Sequence, residues 1–294
     1  MKVAVLGAGT MGHGIAQVAA MAGHEVTVRD VEGEYVRGGL DAIEENLRGG
    51  VERGKVDSET MAETLGRLAG TTSLETAVTD AALVVEAVPE EMRLKRETMR
   101  EVERLVDAET LLATNTSSLS VTEILSALDR PERGVGLHFF NPVHLMSLVE
   151  VVVAEQTDGE TLAFAREFVD EVGKTAIEVR DSPGFASSRL GITLGCEAMR
   201  MVEEGVASAT DVDAAMELGY NYPMGPLELG DVVGLDVRLD VLEYLREELG
   251  ERFRPPQVLK RKVRAGKLGA KTDEGFYRWE DGEKVGVSDE AASR

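Results

Sequence analysis

Residues 2–14 read KVAVLGAGTMGHG, and this stretch decides the fold. Its opening KVAVL is apolar after Lys2 and valine-rich, as a short buried strand requires. Gly7, Gly9 and Gly12 follow at once in the spacing G-x-G-x-x-G, and from Met11 onward the apolar residues recur at helical intervals. Strand, glycine turn and helix in that order form a site for a dinucleotide pyrophosphate. The first glycine permits the tight turn, the second lets backbone approach the phosphates, and the third allows close packing of helix on strand. Thr10 and Met11 stand between Gly9 and Gly12 at the helix start, where backbone N–H groups and a partial positive charge attract an anion.

The next strand-like segment, EVTVR at 25–29, ends against Asp30, at the distance from the glycine turn that such sites use. A carboxylate there accepts hydrogen bonds from the ribose hydroxyls and repels an added phosphate, which favours NAD over NADP. Arg29 beside it works in the opposite sense, and capping of the following helix is a competing use for Asp30.

Outward from this unit the alternation continues. A long charged helix is expected from about Glu32 to Arg53, and another around 91–105. Strands are expected in ALVVEAV at 82–88, TLLAT at 110–114, GVGLHFF at 134–140, LVEVVVA at 148–154 and TAIEV at 175–179. Strands this rich in Val, Leu and Ala belong to a sheet covered by helices on both faces. At Asp181-Ser182-Pro183-Gly184 the alternation stops, and beyond it the periodicity reads as helical, in LGITLGCEAMRMVEEG, ATDVDAAMELG and LDVRLDVLEYLREELG. The expectation is an α/β Rossmann-type N-terminal domain over residues 1–181 and an all-α C-terminal domain over 182–294. Pro226 suits the first turn of a helix. Glu203 and Glu204 before Gly205 oppose the helix dipole and read as tolerated. The polar residues from about Asp281 are expected to fray.

Composition excludes several classes. Among 294 residues, 54 acidic against 32 basic side chains leave a formal charge of -22, which repels nucleic acid. The acids are scattered, like those of a solvated surface, and the scarcity of lysine relative to arginine is similar to that in proteins from salt-loving organisms. No apolar run is long enough for a membrane helix, and Met1 leads straight into strand-like KVAVL instead of a cleavable leader. The single cysteine, Cys196, falls in an apolar helical pattern and reads as a buried small hydrophobe. A cytoplasmic protein with no membrane partner is expected. No spacing of His, Cys and acid suggests a metal site; His13 and His24 belong with the first helix and His144 with a loop.

Four segments resist explanation as packing alone: EAVPEEMRLK at 86–95, NTSSLS at 115–120, HFFNPVHLMSLVE at 138–150 and DSPGF at 181–185. A lone histidine after a strand is by default a packed or surface residue. An acid inside SLVEVVVA is costly to bury without a partner. Taken together with the glycine turn, the segments resemble the 3-hydroxyacyl-CoA dehydrogenase family, and the likeness runs from Lys2 to GAKTDEGFYRW at 269–279. It is similar in particular to single-function enzymes of short chains, since no hydratase domain is attached.

The resemblance implies that His138 moves the 3-hydroxyl proton while a hydride passes to NAD, and that Glu150 holds the imidazole in its tautomer and orientation. It implies that Ser117 bonds the substrate oxygen and also touches the cofactor, and that Asn141 lies at the nicotinamide end. Glu90, Lys95 and Lys271 match further cofactor positions, although Lys95 by itself reads as a solvated helix residue. Ser118 reads as a turn former.

Some positions depart from the family pattern. Ser188 stands where a catalytic asparagine commonly follows the PGF segment, and a hydroxyl donates one hydrogen bond where an amide donates two. His144 and Ser147 stand where relatives more often carry proline and lysine. An acyl-CoA substrate carries phosphates, so a local basic patch is required; Arg37, Arg48, Arg53 and Lys55 are candidates. A homodimer formed through the helical domain is implied. Two alternatives stay open, a gulonate dehydrogenase of the crystallin type and a non-catalytic NAD-binding protein.

Overall fold

The computed structural model describes residues 1–288. The chain separates into two compact units, Met1–Ser182 and Pro183–Arg294.

The first unit begins with β1 (Lys2–Leu6), α1 (Thr10–Met21), β2 (Glu25–Arg29), α2 (Gly33–Glu52), α3 (Ser58–Gly66), β3 (Leu68–Thr71) and α4 (Leu74–Val78). It continues through β4 (Leu83–Glu86), α5 (Met92–Glu103), β5 (Leu111–Thr114), α6 (Val121–Leu125), β6 (Gly134–Phe139), β7 (Leu148–Val153), α7 (Gly159–Glu171) and β8 (Thr175–Arg180). The strands form one eight-stranded sheet in the order β3-β2-β1-β4-β5-β6-β7-β8. All neighbours run parallel except β6 and β7, which are antiparallel. The chain winds outward from β1 through β2 to β3, then returns to lay β4 on the other side of β1. That reversal opens a crevice at the carboxyl ends of β1 and β4, where open α/β sheets bind ligands.

Valines and leucines of the central strands, including Val3, Val5, Val26, Val28, Leu83 and Val85, pack with Ile15, Ala16 and Ala19 of α1 and Phe168 of α7. Burial of a Val or Leu side chain is worth about 1.5–3 kcal/mol relative to leaving it exposed, so this core dominates the unit's stability. The strand β3 was not expected. It is an edge strand, LAGT, with every residue at least partly exposed, so it carries no apolar pattern to read.

The second unit contains α8 (Ser187–Glu203), α9 (Ala209–Tyr220), α10 (Pro226–Val233), α11 (Leu235–Leu249) and α12 (Gln257–Arg264). They enclose a core of Ile192, Met199, Leu227, Leu235, Leu242, Phe276 and Trp279. Pro226 opens α10, and Cys196 is buried within α8. The unit is helical as expected, with one addition that was not expected, an antiparallel hairpin of β9 (Tyr277–Glu280) and β10 (Glu283–Val287) that completes it. In β9 the buried Tyr277 and Trp279 alternate with the exposed Arg278 and Glu280, a period of two too short to stand out beside the preceding turn. The expected fraying from Asp281 is corrected: Asp281 and Gly282, both at positive φ, make the hairpin turn, and β10 runs on to Val287. The last residues of that stretch, 289–294, lie outside the described residues.

Two buried carboxylates tie this unit together. Asp231 accepts the backbone N–H groups of Phe276 and Tyr277 and the Trp279 indole N–H, at 2.9, 2.8 and 3.1 Å. Asp213 accepts the N–H groups of Leu227 and Glu228 and the Tyr277 hydroxyl. Glu203 is explained as well: its carboxylate accepts the Val258 N–H in the first turn of α12, so an acid that opposes one helix dipole caps another.

Candidate active site

The glycine turn joins β1 to α1. Gly7 sits at φ +102°, and a Cβ there would fall 2.4 Å from the Ala87 carbonyl oxygen. A Cβ on Gly12 would fall 1.7 Å from the Gly7 carbonyl oxygen, so no side chain fits at the third glycine. Gly9 differs: nothing lies within 4 Å of where its Cβ would stand. The two outer glycines are demanded by the fold, whereas the middle one leaves open space beside the backbone. Helices α3, α4, α6, α7 and α9 each begin with an Asp or Ser whose side chain accepts a first-turn N–H. Helix α1 begins at Gly9 with no side-chain cap. An uncapped helix start beside the open side of Gly9 is the arrangement that would hold a pyrophosphate.

Asp30 does not cap α2, whose N-cap is Glu32. Its carboxylate instead accepts the Ala8 N–H of the glycine turn and the Val31 N–H, each at 2.7 Å. The acid at the end of β2 is thereby fixed against the turn that would hold the phosphates.

Met11 leads from the turn into a pocket of about 370 Å³ whose walls also include Ala87, Val88, Glu90, Lys95, Ser117, His138 and Asn141. His138 stands near the end of β6 and Glu150 on β7, paired in register across the antiparallel ladder. His138 Nδ1 lies 2.7 Å from Glu150 Oε2, and the Glu150 side chain is 0% exposed. The Phe140 ring tilts against the imidazole with centroids 4.4 Å apart. On the neighbouring strand end, Asn115 Oδ1 accepts the Phe139 N–H at 2.9 Å, which holds β5 and β6 together beside the histidine.

Glu90 organises the NTSSLS turn. One of its carboxylate oxygens accepts the Thr116 hydroxyl at 2.6 Å and the Ser117 N–H at 2.9 Å, together with longer contacts from the Ser117 hydroxyl and Ser118. Burial pushes the Glu90 carboxyl up, but the Lys95 ammonium and the Thr116 and Ser117 donors outweigh it and hold the group below its ordinary value. Asp181, in the DSPGF segment, accepts the Ser120 hydroxyl and the Thr122 N–H and so anchors the other end of that turn.

Lys95 requires a correction. Read alone it is a solvated helix residue, yet its side chain is 1% exposed, and its ammonium lies 2.8 Å from Glu86 and 3.2 Å from Glu90. Its partner Glu86 escaped the sequence reading. The signal was present, since Glu86 interrupts the apolar run ALVVEAV as Glu150 interrupts SLVEVVVA, and the same cost of an unpaired buried acid applied.

The structure thus gathers Met11, Glu90, Lys95, Ser117, His138 and Asn141 around one pocket, with Gly7, Gly9, Thr10 and Gly12 in the adjoining turn and helix start and Asp30 bonded to that turn from the end of β2. Ser188 and Lys271 belong to the second unit. Ser188 lies in the first turn of α8, and the Lys271 ammonium pairs with Asp236 at 2.6 Å. Among the described residues no group of three His, Cys, Asp or Glu could hold a metal ion.

Comparison with known proteins identifies the family. A family profile described as "3-hydroxyacyl-CoA dehydrogenase, NAD binding domain" matches residues 2–182, and one described as "3-hydroxyacyl-CoA dehydrogenase, C-terminal domain" matches residues 184–279. The chain is 42% identical to a probable 3-hydroxybutyryl-CoA dehydrogenase of Deinococcus radiodurans, over 95% of this chain and 100% of that one. It is 39% identical to the mitochondrial hydroxyacyl-coenzyme A dehydrogenase of Sus scrofa, over 94% and 90% of the two chains. Among solved structures, (S)-3-hydroxybutyryl-CoA dehydrogenase from Ralstonia eutropha superimposes with a TM-score of 0.92 at 36% identity, covering 95% of this chain and 99% of that one. With an NAD-binding profile matched over the first unit, its partner profile over the second, and full-length relatives at about two-fifths identity, the chain belongs to the 3-hydroxyacyl-CoA dehydrogenase family.

Proposed function

We propose that the protein interconverts (S)-3-hydroxyacyl-CoA and 3-oxoacyl-CoA thioesters with NAD, on short chains such as 3-hydroxybutyryl-CoA, and that His138 is its acid–base group. The observation that carries this reading is the buried His138–Glu150 pair at 2.7 Å, with His138 on the wall of the pocket beside the glycine turn. A carboxylate only accepts hydrogen bonds, so Nδ1 carries the hydrogen and Nε2 is the atom that gains or loses a proton. Bound NAD supplies the hydride acceptor for carbon 3. In oxidation His138 takes the hydroxyl proton, and Glu150 stabilises the imidazolium that forms; in reduction the roles reverse.

Ser117, held by Glu90, orients the substrate oxygen, and Asn141 orients the nicotinamide end. Ser188 takes the place of the amide that the family's PGF segment commonly carries. The names of the relatives support the short acyl chain. Of the candidates for the CoA phosphates, Arg48 pairs with Glu44, so Arg37, Arg53 and Lys55 are the better ones. Exposed apolar side chains on α9 and α10, among them Leu218, Tyr220, Leu229, Val232 and Val233, support a homodimer through the second unit. The buried lone cysteine, and the lack among described residues of a helix long and apolar enough to cross a membrane, support a cytoplasmic location.

A chain-length series of 3-oxoacyl-CoA substrates with NADH and NADPH tests the proposal. Fastest NADH oxidation with acetoacetyl-CoA, and slower turnover with NADPH, is expected. A flat absorbance trace with every acyl-CoA would overturn it, and activity on gulonate would put the alternative substrate in its place.

A further inference from the structure

Glu86 lies at the end of β4, in register with Leu6 of β1 on one side and Thr114 of β5 on the other, and is 0% exposed. It does not line the pocket, yet it holds three parts of the wall. Oε1 accepts the Val88 N–H at 2.7 Å and the Lys95 ammonium at 2.8 Å, and Oε2 accepts the Thr114 hydroxyl at 2.6 Å. Lys95 also donates to the Val88 carbonyl and reaches Glu90, whose other oxygen gathers Thr116, Ser117 and Ser118. Two carboxylates therefore share one ammonium, and the cluster carries one net negative charge beside the pocket.

We infer that Glu86 is a positioning residue that also sets the balance between oxidised and reduced cofactor. This rests on the proposed placing of the nicotinamide in the pocket with His138. The nicotinamide ring is cationic in NAD+ and neutral in NADH, so a net negative wall binds the oxidised form preferentially. Lys95 and Glu90 alone would cancel; the excess charge is the one that Glu86 adds. Its bond to Val88 gives it a geometric task besides, because the adjoining Ala87 carbonyl occupies the space where a side chain at Gly7 would stand.

The two tasks separate by substitution. In Glu86→Gln the amide oxygen can still accept from Lys95 and Val88, while the amide nitrogen donates to the Thr114 hydroxyl, so the geometry stays and only the charge goes. Glu86→Asp keeps the charge and shortens the reach. Dissociation constants for NAD+ and NADH, measured without acyl substrate by calorimetry and by NADH fluorescence, read both effects. For Glu86→Gln, the ratio of the NAD+ constant to the NADH constant should rise by about tenfold over wild type, the scale of one charge lost from a wall of intermediate dielectric. For Glu86→Asp, both constants should rise together with their ratio held.

A merely structural role would move both constants equally in the Gln variant, and that result, or a ratio unchanged in it, overturns the inference. If Glu86→Gln does not fold, Glu86→Asp tests the positioning and Glu90→Gln, which removes the same net charge from the cluster, tests the balance: constants equal to wild type in the first, or an unchanged ratio in the second, overturn the inference. Cofactor binding is scored without turnover, so failure here is distinct from failure of the proposed reaction, which would show as wild-type protein that binds NADH but turns over no acyl-CoA.

Discussion

His138 and Glu150 face each other directly across the antiparallel pair β6–β7, in register, with Nδ1 and Oε2 2.7 Å apart. Opposed residues on one face of such a ladder have Cβ atoms about 5 Å apart, so two short side chains meet without strain. The antiparallel step in an otherwise parallel sheet is what brings residues twelve apart in sequence into contact.

Removal of the imidazole separates chemistry from binding. His138→Ala should lower kcat by about 10²–10⁴ while leaving the NADH dissociation constant within a few-fold, as loss of a general acid–base group does. Stopped-flow turnover together with NADH titration checks it. A large loss of NADH affinity with turnover retained would show that the residue serves the cofactor instead.

Glu150→Gln tests the tautomer. An amide can present either its oxygen or its nitrogen to Nδ1, so the ring is no longer held with its hydrogen on that atom. A fall in kcat of about 10²–10⁴ with the fold intact is expected, by analogy with the carboxylate of catalytic triads. Turnover within threefold of wild type would mean that Glu150 serves only the packing of β7.

The middle and third glycines should part company. Gly9→Ala places its methyl in open space, so thermal stability should match wild type while the NADH dissociation constant rises at least tenfold, the backbone being kept from the phosphates. Gly12→Ala drives a methyl into the Gly7 carbonyl and should destabilise the first unit outright. Calorimetric melting and NADH titration of both variants check this, and unchanged NADH binding in Gly9→Ala would contradict the phosphate site.

Acid should weaken the fold through His24. The ring stacks on Phe168 and lies 3.3 Å from Glu171; burial, then the N-terminal charge, lowers its pKa below 6.5, and Glu171 only partly offsets them. The unfolded chain therefore takes up the proton first. Stability from this group is complete above the unfolded value and is lost as pH falls toward the folded one. Urea unfolding at about pH 8 and about pH 5.5 should show a drop that is smaller in His24→Gln; His13 and His144, lowered for the same leading reason, account for part of what remains. An identical drop in the variant would remove His24 from the explanation.

Asp231→Asn changes one atom and should cost the second unit about 2–3 kcal/mol, because three N–H donors converge on two carboxylate oxygens and an amide nitrogen accepts none of them. Denaturant titration measures the cost. A variant as stable as wild type would show that the hairpin does not depend on that carboxylate.

The strand–turn–helix start, seven of the eight strands of the large sheet and the helices α8 to α11 were legible because each rests on local periodicity, on a proline suited to a helix start, or on a glycine whose conformation no other residue replaces. Glu150 was legible for a different reason, as an acid in an apolar run needs a partner. The same reasoning applied to Glu86 and was not followed there. Strand β3 and the β9–β10 hairpin escaped, the first because an exposed edge has no pattern, the second because its alternation spans only a few residues.

By itself the sequence determined where the dinucleotide turn lies, where most strands of the large sheet and the longer helices run, and which family the chain resembles, since those follow from neighbours along the chain. Only the tertiary structure decided that Lys95 is a buried ammonium between Glu86 and Glu90, that Asp30 bonds the glycine turn instead of capping α2, and that Glu203 caps α12. Each depends on which strand or helix end lies beside which. That adjacency comes from winding order and burial of the core, and it leaves no trace in the residues on either side of the side chain concerned.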